Sequence, residues 1–212
     1  MSEFLSLIGI VAALSVGTVS PGPSFVLVAR TAVAKSRAHG VAAALGMGAG
    51  GVLFAGTALL GLQGLLLAVP SFYVAFKVFG GLYLCYLGLR IFQAANNPLE
   101  VQVADTISSE NTARSFLIGL GTQVSNPKTA IVYASVFAAF LPSSFSPLLG
   151  LTVVSAVFAI EAGWYSIVAI ALAAAKPRRA YLSYKVWVDR IAGVVIGTLG
   201  VKLVSSAGTA SP

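Results

Sequence analysis

The sequence predicts an all-α integral membrane protein, with six transmembrane helices arranged as two inverted three-helix repeats in a single membrane domain over residues 1–212. The first supporting observation is composition: 58% of the 212 residues are hydrophobic and 9% are charged, whereas about 25% are charged in soluble domains. The mean hydropathy of +0.93 describes the whole chain, so the apolar excess is not confined to one anchor. The second observation is a series of long segments nearly free of charge, and the third is a motif that recurs in both halves. A water-soluble fold is excluded, because too few polar side chains are present to cover its surface.

The first segment carries no charge from residue 4 to residue 29, and its helical character extends to about Ala34. A continuous helix of this length would measure about 46 Å, well beyond a hydrocarbon core of about 30 Å. Ser20-Pro21-Gly22-Pro23 interrupts the segment, so we predict a broken helix with the break inside the membrane. No basic stretch precedes it, which favours a retained segment over a cleaved signal peptide.

Five further segments complete the predicted bundle. The third contains Lys77, the fourth contains Lys128 as its one charged residue, and the fifth contains only Glu161. The sixth begins at Asp189-Arg190 and reaches Lys202. Each is long enough to cross a bilayer as a helix. These segments cover residues 40–67, 70–93, 115–141, 148–175 and about 187–206.

The basic residues indicate the orientation of the chain. The net charge of +7 would suggest a nucleic-acid partner in a soluble protein, but in a membrane protein basic residues first mark cytoplasmic loops, and we predict no nucleic-acid partner. Placing the odd-numbered loops inside makes ten of the thirteen basic residues cytoplasmic and puts both termini outside. Those ten are Arg30, Lys35, Arg37, Arg90, Arg114, Lys176, Arg178, Arg179, Lys185 and Arg190.

An alternative topology has the first segment re-entrant, which leaves five true spans and an N-terminus inside. The distribution of basic residues fits both topologies equally, so the sequence leaves this choice open. In either case residues 94–113 form a cytoplasmic linker between the halves, since residues 96–113 are the one sizeable hydrophilic stretch. Such a polar segment is typical of a flexible connector.

The two halves resemble one another. The stretch from Gly17 to Pro23 in the first segment has a counterpart from Gly121 to Pro127 in the fourth, and each places a Gly, Pro or Asn break inside a span. Because three spans per half is an odd number, the second half must cross the membrane in the opposite sense. Repeat 1 covers residues 4–93 and repeat 2 covers residues 114–206. Inverted repeats with matching broken helices are typical of secondary transporters.

The two breaks are candidate binding sites, because an interrupted helix frees backbone polar groups that lipid cannot satisfy. Asn126-Pro127 is typical of an N-cap followed by proline at the first helical position, and Ser20-Pro21 or Gly22-Pro23 can have the same role in the first half. A helix that begins there presents N–H donors suited to a carboxylate. An ordinary proline kink that only shapes the bundle is the alternative interpretation.

Lys128 and Glu161 are the ionisable residues nearest the middle of the membrane. Each costs about 2.5–3.5 kcal/mol at the bilayer centre, so each must face the interior or a cavity. Lys128 is a candidate anchor for a substrate carboxylate, and Glu161 a candidate partner for an ammonium group or a proton carrier. A structural pair between the two is the alternative. Trp164 and Tyr165, one turn beyond Glu161, either wall the cavity or pack in the core.

The sequence resembles the LysE superfamily of bacterial amino-acid exporters, and within it the homoserine/threonine exporter branch. The resemblance extends over about residues 4–206. It rests on Ser20-Pro21-Gly22-Pro23, on the run from Gly80 to Gly88, on Asn126-Pro127-Lys128-Thr129 and on Trp164-Tyr165.

The resemblance implies a multi-pass efflux carrier of the bacterial inner membrane, driven by protons, that exports small neutral or threonine-like amino acids. Some relatives have a polar or acidic residue in the second segment, where this chain has Gly48, Gly50 and Gly51, and this difference shifts the proton-coupling role to Glu161. The predicted substrate-binding residues are Ser20, Pro21, Gly22, Pro23, Ser125, Asn126, Pro127, Lys128, Trp164 and Tyr165.

Other functional classes have weaker support. An intramembrane enzyme needs a nucleophile with its base, a metal or clustered carboxylates, and with one His, one Cys and one membrane Glu we predict no enzyme, no cofactor and no metal site. A cation or metal exporter of the same superfamily is the alternative function, although it should carry several ligands at membrane depth. The expected partners are an amino-acid substrate, protons and membrane lipid. Substrate identity, coupling ion and the choice between monomer and homo-oligomer are open at this stage.

Overall fold

A computed structural model describes residues 3–20, 22–68, 70–97, 111–142 and 144–207. Within these ranges all regular secondary structure is α-helical and no strand is present, so the all-α prediction is confirmed for this part of the chain. Eight helices follow one another: α1 Glu3–Val19, α2 Pro23–Ala34, α3 Arg37–Ala68, α4 Pro70–Ala94, α5 Thr112–Val124, α6 Pro127–Phe140, α7 Pro147–Leu172 and α8 Ala175–Ala207.

Both predicted helix breaks are present. The first segment is divided into α1 and α2, which are bent relative to each other by 55°, and the fourth is divided into α5 and α6 at Ser125-Asn126. Each second helix begins with a proline, Pro23 or Pro127. Proline has no N–H to donate and favours the first turn of a helix, which explains why a new helix begins at each position. Pro21 lies outside the described residues.

The sixth segment differs from its prediction. Residues 176–185, which lie between the predicted fifth and sixth segments, are part of α8, which begins at Ala175. Contacts to the end of α4 accompany this longer helix: Lys185 Nζ donates to the Ala95 carbonyl at 3.1 Å and pairs with Asp189 at 2.7 Å. The pair lies one helical turn apart, a spacing that supports a helix. Sequence hydropathy located only the apolar part of this helix, because the polar first turns carry no membrane signal.

Span length and composition identify fewer crossings than the sequence predicted. In the parts with described side chains, residues 37–61 of α3 and all of α7 are long and apolar enough to cross a membrane, and the bent pair of α1 and α2 makes a third if it counts as one span. Residues 78–94 and 128–140 form shorter apolar helices. Large apolar side chains such as Leu60, Phe79 and Leu148 point outward, as expected for a surface that contacts lipid. The six-helix inverted repeat stays a prediction.

Glycines allow the helices to pack closely. A Cβ added at Gly88 of α4 would lie 2.5 Å from the Gly193 carbonyl oxygen of α8, and one at Gly200 would lie 2.5 Å from the Gly81 carbonyl oxygen. A Cβ on Gly46 of α3 would overlap the backbone of α5. Small residues at such contacts are the usual way for membrane helices to associate. α3 therefore lies directly against α5, and α4 directly against α8.

Helices α1 and α2 together extend from one end of α7 to the other. At the beginning of α7, the Glu3 carboxylate accepts hydrogen bonds from the backbone N–H and hydroxyl of Ser146, at 2.7 and 2.8 Å. These two bonds lower the pKa of Glu3, as expected when donors stabilise the ionised form. Near the other end of α7, Ala169 lies against Gly40, which in turn contacts Ala32 of α2. The two ends of the α1 and α2 pair therefore lie at opposite ends of α7.

Candidate functional site

The two helix breaks contact each other through side-chain hydrogen bonds. Ser24, in the first turn of α2, donates its hydroxyl to Gln123 Oε1 at 2.8 Å. The same hydroxyl oxygen accepts a hydrogen bond from Asn126 Nδ2 at 3.0 Å. All three side chains are buried. Because Ser24 belongs to the first break and Gln123 and Asn126 belong to the second, this network joins the two halves of the chain.

The capping predicted for α6 is confirmed. Asn126 has extended backbone angles, and its Oδ1 accepts a hydrogen bond from the Lys128 backbone N–H at 3.0 Å. This bond satisfies one of the N–H groups that a helix start leaves free. In the first half, Gly22 is the residue before α2 and makes no side-chain cap. Of the two pairs that the sequence allowed there, Gly22-Pro23 therefore begins the helix.

The Lys128 side chain binds the end of α1, at the break in the first half. Its Nζ donates to the Ser20 carbonyl oxygen at 2.9 Å, just beyond the last residue of α1. A cation is favourable there because the carbonyl end of a helix carries partial negative charge. Lys128 and Glu161 do not form an ion pair within 4.0 Å. The structural pair between them, which the sequence left as an alternative, is therefore not formed.

Glu161 lies near the middle of α7 and is 3% exposed. Its Oε1 accepts hydrogen bonds from the Tyr133 hydroxyl at 2.9 Å and from the Thr18 hydroxyl at 3.3 Å. Its Oε2 is buried and has no hydrogen-bond partner among the residues with described side chains. A buried carboxyl oxygen without a partner is costly, so this atom is the part of the site best placed to bind a ligand.

Gly51 of α3 leaves the room that this arrangement needs. A Cβ at Gly51 would lie 3.1 Å from the Tyr133 hydroxyl and 3.3 Å from Glu161 Cγ. A polar or acidic side chain at this position would therefore occupy the space of the Tyr133 and Glu161 contact. In this chain Glu161 of α7 provides the carboxylate of the site, and Gly51 of α3 leaves space beside it.

A small cavity lies between the two breaks. The volume open to the centre of a water-sized sphere is about 20 Å³, roughly the space that one water molecule requires. An amino acid does not fit in this conformation, so the surrounding helices must move apart to admit one. The polar lining combines one cation, one carboxyl group and several hydroxyl and amide groups, from Thr18, Ser24, Asn126, Lys128, Thr129, Tyr133, Glu161 and Tyr165.

The structure brings together some of the residues predicted from the sequence. Gly22, Asn126, Lys128, Glu161 and Tyr165 line the cavity, and Ser20 reaches it through the carbonyl group that binds Lys128. The other predicted residues lie elsewhere. Pro23 and Ser125 line a shallow cleft beside the cavity, Trp164 packs against the core shared by α2, α3 and α7, Pro127 begins α6, and Pro21 is not among the described residues.

The predicted site residues did not include five polar residues that complete the site: Thr18, Ser24, Gln123, Thr129 and Tyr133. Thr18 and Gln123 fall inside the repeated motif, each a few residues before a break. Ser24 follows directly after the first break. These positions could have been selected as polar residues adjoining a break in an apolar segment. Tyr133 had no such signal, because an aromatic residue within a span is most often packing.

The charged and polar groups around the cavity match the two charged ends of a small zwitterion, once the helices have moved apart to admit it. Lys128 belongs to the first turn of α6, where the helix dipole also favours an anion. Glu161 lies across the cavity with an oxygen available. Within the described part of the chain, no group of three or more His, Cys, Asp or Glu residues is placed to hold a metal ion. The site therefore suits a ligand that carries both an anionic and a cationic group.

Comparison with known proteins gives the chain its relatives. The family model described as LysE type translocator matches residues 15–207. The threonine efflux protein of Salmonella typhimurium is 33% identical over 192 residues, which cover 90% of this chain and 93% of that protein. The threonine efflux protein of Escherichia coli K12 is 32% identical with the same coverage. An uncharacterized membrane protein of Haemophilus influenzae is 27% identical over 191 residues, 89% of this chain and 90% of its own length. No solved structure matches the chain.

Proposed function

The chain belongs to the LysE type translocator family and is a membrane transporter rather than an enzyme; from this premise we propose that it exports small neutral amino acids, threonine or homoserine among them, across the bacterial inner membrane. We further propose that transport is coupled to protons and proceeds by alternating access. The observation that carries the proposal is the presence of Lys128 and Glu161 in one buried cavity between two helix breaks.

The substrate would bind between these two charges. In the proposed complex the carboxylate of the amino acid contacts the Lys128 ammonium and the first turn of α6, since both favour an anion. The ammonium group contacts Glu161 Oε2, which lacks a partner without substrate. The hydroxyls of Thr18, Thr129 and Tyr133 then surround the substrate side chain. The relatives named threonine efflux protein support a short, hydroxyl-bearing side chain.

Proton coupling would follow if the Glu161 carboxyl group binds either the substrate ammonium or a proton. Glu161 can bind a substrate ammonium when it is ionised, or hold a proton when it is neutral. Because the proton and the substrate ammonium exclude each other at Glu161, exposing this carboxyl group first to one side of the membrane and then to the other would exchange one for the other. A transporter whose binding energy differs between its two states shifts between them when the ligand changes. Outward substrate movement would then require inward proton movement.

The exported amino acid can be tested in intact cells. Cells that produce the protein and control cells are loaded with dipeptides of threonine, homoserine, alanine, leucine or lysine, and the free amino acids released into the medium are measured over time. We expect faster release of threonine and homoserine from the producing cells, with no change for lysine. Equal release of every amino acid from the two strains would contradict the proposal. The Lys128→Met variant, produced to the same level, is the matched control for leakage.

We also propose that the first segment spans the membrane, which gives six crossings and an N-terminus outside. The support is the contact of Glu3 with Ser146 at one end of α7, while α2 ends near Ala169 at the other. A re-entrant segment would return the N-terminus to the end of α7 where α2 finishes. Inverted repeats over residues 4–93 and 114–206, joined by a cytoplasmic linker at residues 94–113, are part of the same proposal.

Cysteine labelling checks this topology. In a Cys85→Ser background, single cysteines at Ala38 and Ser183 should react only with a reagent supplied from the cytoplasmic side. Cysteines at Ser144 and Ser2 should react only from outside. Cytoplasmic labelling at Ser2 with the other three sites unchanged would favour the five-span topology. External labelling at Ser183 would contradict the orientation as a whole.

A further inference from the structure

The hydrogen bonds between the two breaks have a fixed direction. The Lys128 backbone N–H can only donate, so the atom of Asn126 that meets it at 3.0 Å must be the acceptor Oδ1. The Asn126 amide nitrogen therefore faces Ser24 and donates to its hydroxyl oxygen at 3.0 Å. The Ser24 hydroxyl hydrogen in turn donates to Gln123 Oε1 at 2.8 Å. Because Gln123 Oε1 accepts from Ser24, the Gln123 Nε2 amide group points away from Ser24.

Gln123 and Glu161 pack against the same short stretch of α3. The two side chains lie against consecutive glycines of α3: a Cβ at Gly50 would lie 2.7 Å from Gln123 Cβ, and one at Gly51 would lie 3.3 Å from Glu161 Cγ. Gln123 is one of the polar side chains around the Glu161 carboxyl group. Gln123 is 1% exposed. Neither Gln123 Nε2 nor Glu161 Oε2 has a hydrogen-bond partner within 3.5 Å in the described structure.

This arrangement suits one charge state of Glu161 better than the other. An ionised carboxylate oxygen only accepts, and Gln123 Nε2 only donates, so the two match. A proton on Oε2 would instead place two donors face to face. A rotated amide could accept that proton through Oε1, but Ser24 holds Oε1 in the opposite direction. We propose that Gln123 is a positioning residue that links the charge state of Glu161 to the contact between the two helix breaks.

The other groups that face Glu161 do not provide this link. Thr18 from α1 and Tyr133 from α6 bind Oε1 through hydroxyls, which can rotate to donate or accept. Lys128 from α6 acts through its charge and is held at the end of α1. Tyr165, one turn along α7 itself, also lines the cavity. Gln123 differs from these groups because its amide is oriented by the hydrogen bond with Ser24.

The transport consequence rests on the proposed function. When the breaks separate and Ser24 withdraws, the Gln123 amide becomes free to rotate and to accept a proton from Glu161. When the breaks close again, the amide donor returns and favours the ionised carboxylate, so the proton is released. Protonation would thereby be favoured in the conformation with separated breaks and disfavoured in the closed one, as coupled exchange requires.

Infrared titration of the purified protein tests the inference without requiring transport. The carbonyl band of a protonated carboxyl group is assigned to Glu161 by its loss in Glu161→Gln, and its intensity is followed with pH. Ser24→Ala should increase the protonated fraction, moving the midpoint upward by about 0.5–1 pH unit, the effect of roughly one hydrogen bond. Ser24→Thr, which keeps the hydroxyl, should leave the midpoint near that of the parent protein.

A double-variant comparison shows whether the effect passes through Gln123. In a Gln123→Met background, adding Ser24→Ala should produce no further shift of the midpoint. Ser115→Ala, which removes a buried hydroxyl from α5 that has no partner in the described structure, is the matched control and should not move it. Monodisperse elution in detergent shows that each variant is folded.

The inference would be overturned by an unchanged midpoint in Ser24→Ala, or by an equal Ser24→Ala shift with and without Gln123. The absence of any protonated Glu161 band over the accessible pH range would overturn it as well. A failed export assay together with the expected titration shifts would contradict the proposed function and leave the linkage established.

Discussion

Replacing Glu161 with glutamine should abolish proton-driven transport by this protein. Reconstituted into liposomes with a pH difference of about one unit, the parent protein should move its amino acid against a concentration ratio of up to about tenfold for each exchanged proton. Glu161→Gln should reach no more than equal concentrations on the two sides. The physical reason is that glutamine cannot exchange a proton and offers no charge to a substrate ammonium, so the variant resembles a permanently proton-loaded carrier.

Controls separate this outcome from a loss of folding. Glu161→Asp keeps an ionisable group and should retain measurable proton-driven transport, reduced because the shorter side chain moves away from Tyr133 and Thr18. Tyr133→Phe removes one hydrogen bond to Oε1 and keeps the carboxyl group, so coupling should persist. A Glu161→Gln protein that still accumulates substrate in response to pH would remove Glu161 from the proton pathway.

Replacing Lys128 with methionine should produce the second large effect, a loss of substrate binding. A hydrogen bond to a charged group contributes about 1.5–3 kcal/mol, so the apparent affinity should fall by about 10- to 100-fold. The Ser20 carbonyl oxygen also loses its donor, which loosens the end of α1 against α6. Substrate binding to the purified protein and the concentration dependence of exchange at equal pH on both sides measure the effect.

The matched control for Lys128 is another membrane lysine outside the cavity. Lys202→Met removes an ammonium group that lies 5.5 Å from the centre of the Phe140 ring and should leave substrate affinity unchanged. Lys128→Arg keeps the charge, although its larger planar group does not fit the same site equally well, so it should recover part of the affinity. Unchanged affinity in Lys128→Met would exclude this residue as the carboxylate anchor.

The sequence was sufficient to predict a membrane-embedded helical protein, the two helix breaks and the importance of Lys128 and Glu161, which line one cavity. Each of these features depends on local chemistry. Composition determines the solvent that the chain can face, and proline at the start of a helix has the same effect in any fold. The cap of Asn126 on the Lys128 N–H was predictable for this reason, since its donor and acceptor are two residues apart.

Only the tertiary structure decided which polar groups bind one another. Lys128 donates a hydrogen bond to the Ser20 carbonyl, 108 residues away, and does not pair with Glu161. Glu161 instead accepts hydrogen bonds from the hydroxyls of Thr18 and Tyr133. Hydropathy placed these groups at similar membrane depths but contained no information on which helices adjoin. Close approach of the backbones at glycines fixes the neighbours, and those neighbours then determine the partners.

The same reason explains the role of Gln123 and the length of α8. Gln123 is an ordinary polar residue in the sequence, and its orientation follows from Ser24 across the two breaks, 99 residues away. α8 extends beyond its apolar part where Lys185 binds the end of α4. Local chemistry determined where the helices are interrupted and where the chain carries charge. Packing between distant segments determined which groups of the site donate hydrogen bonds to which.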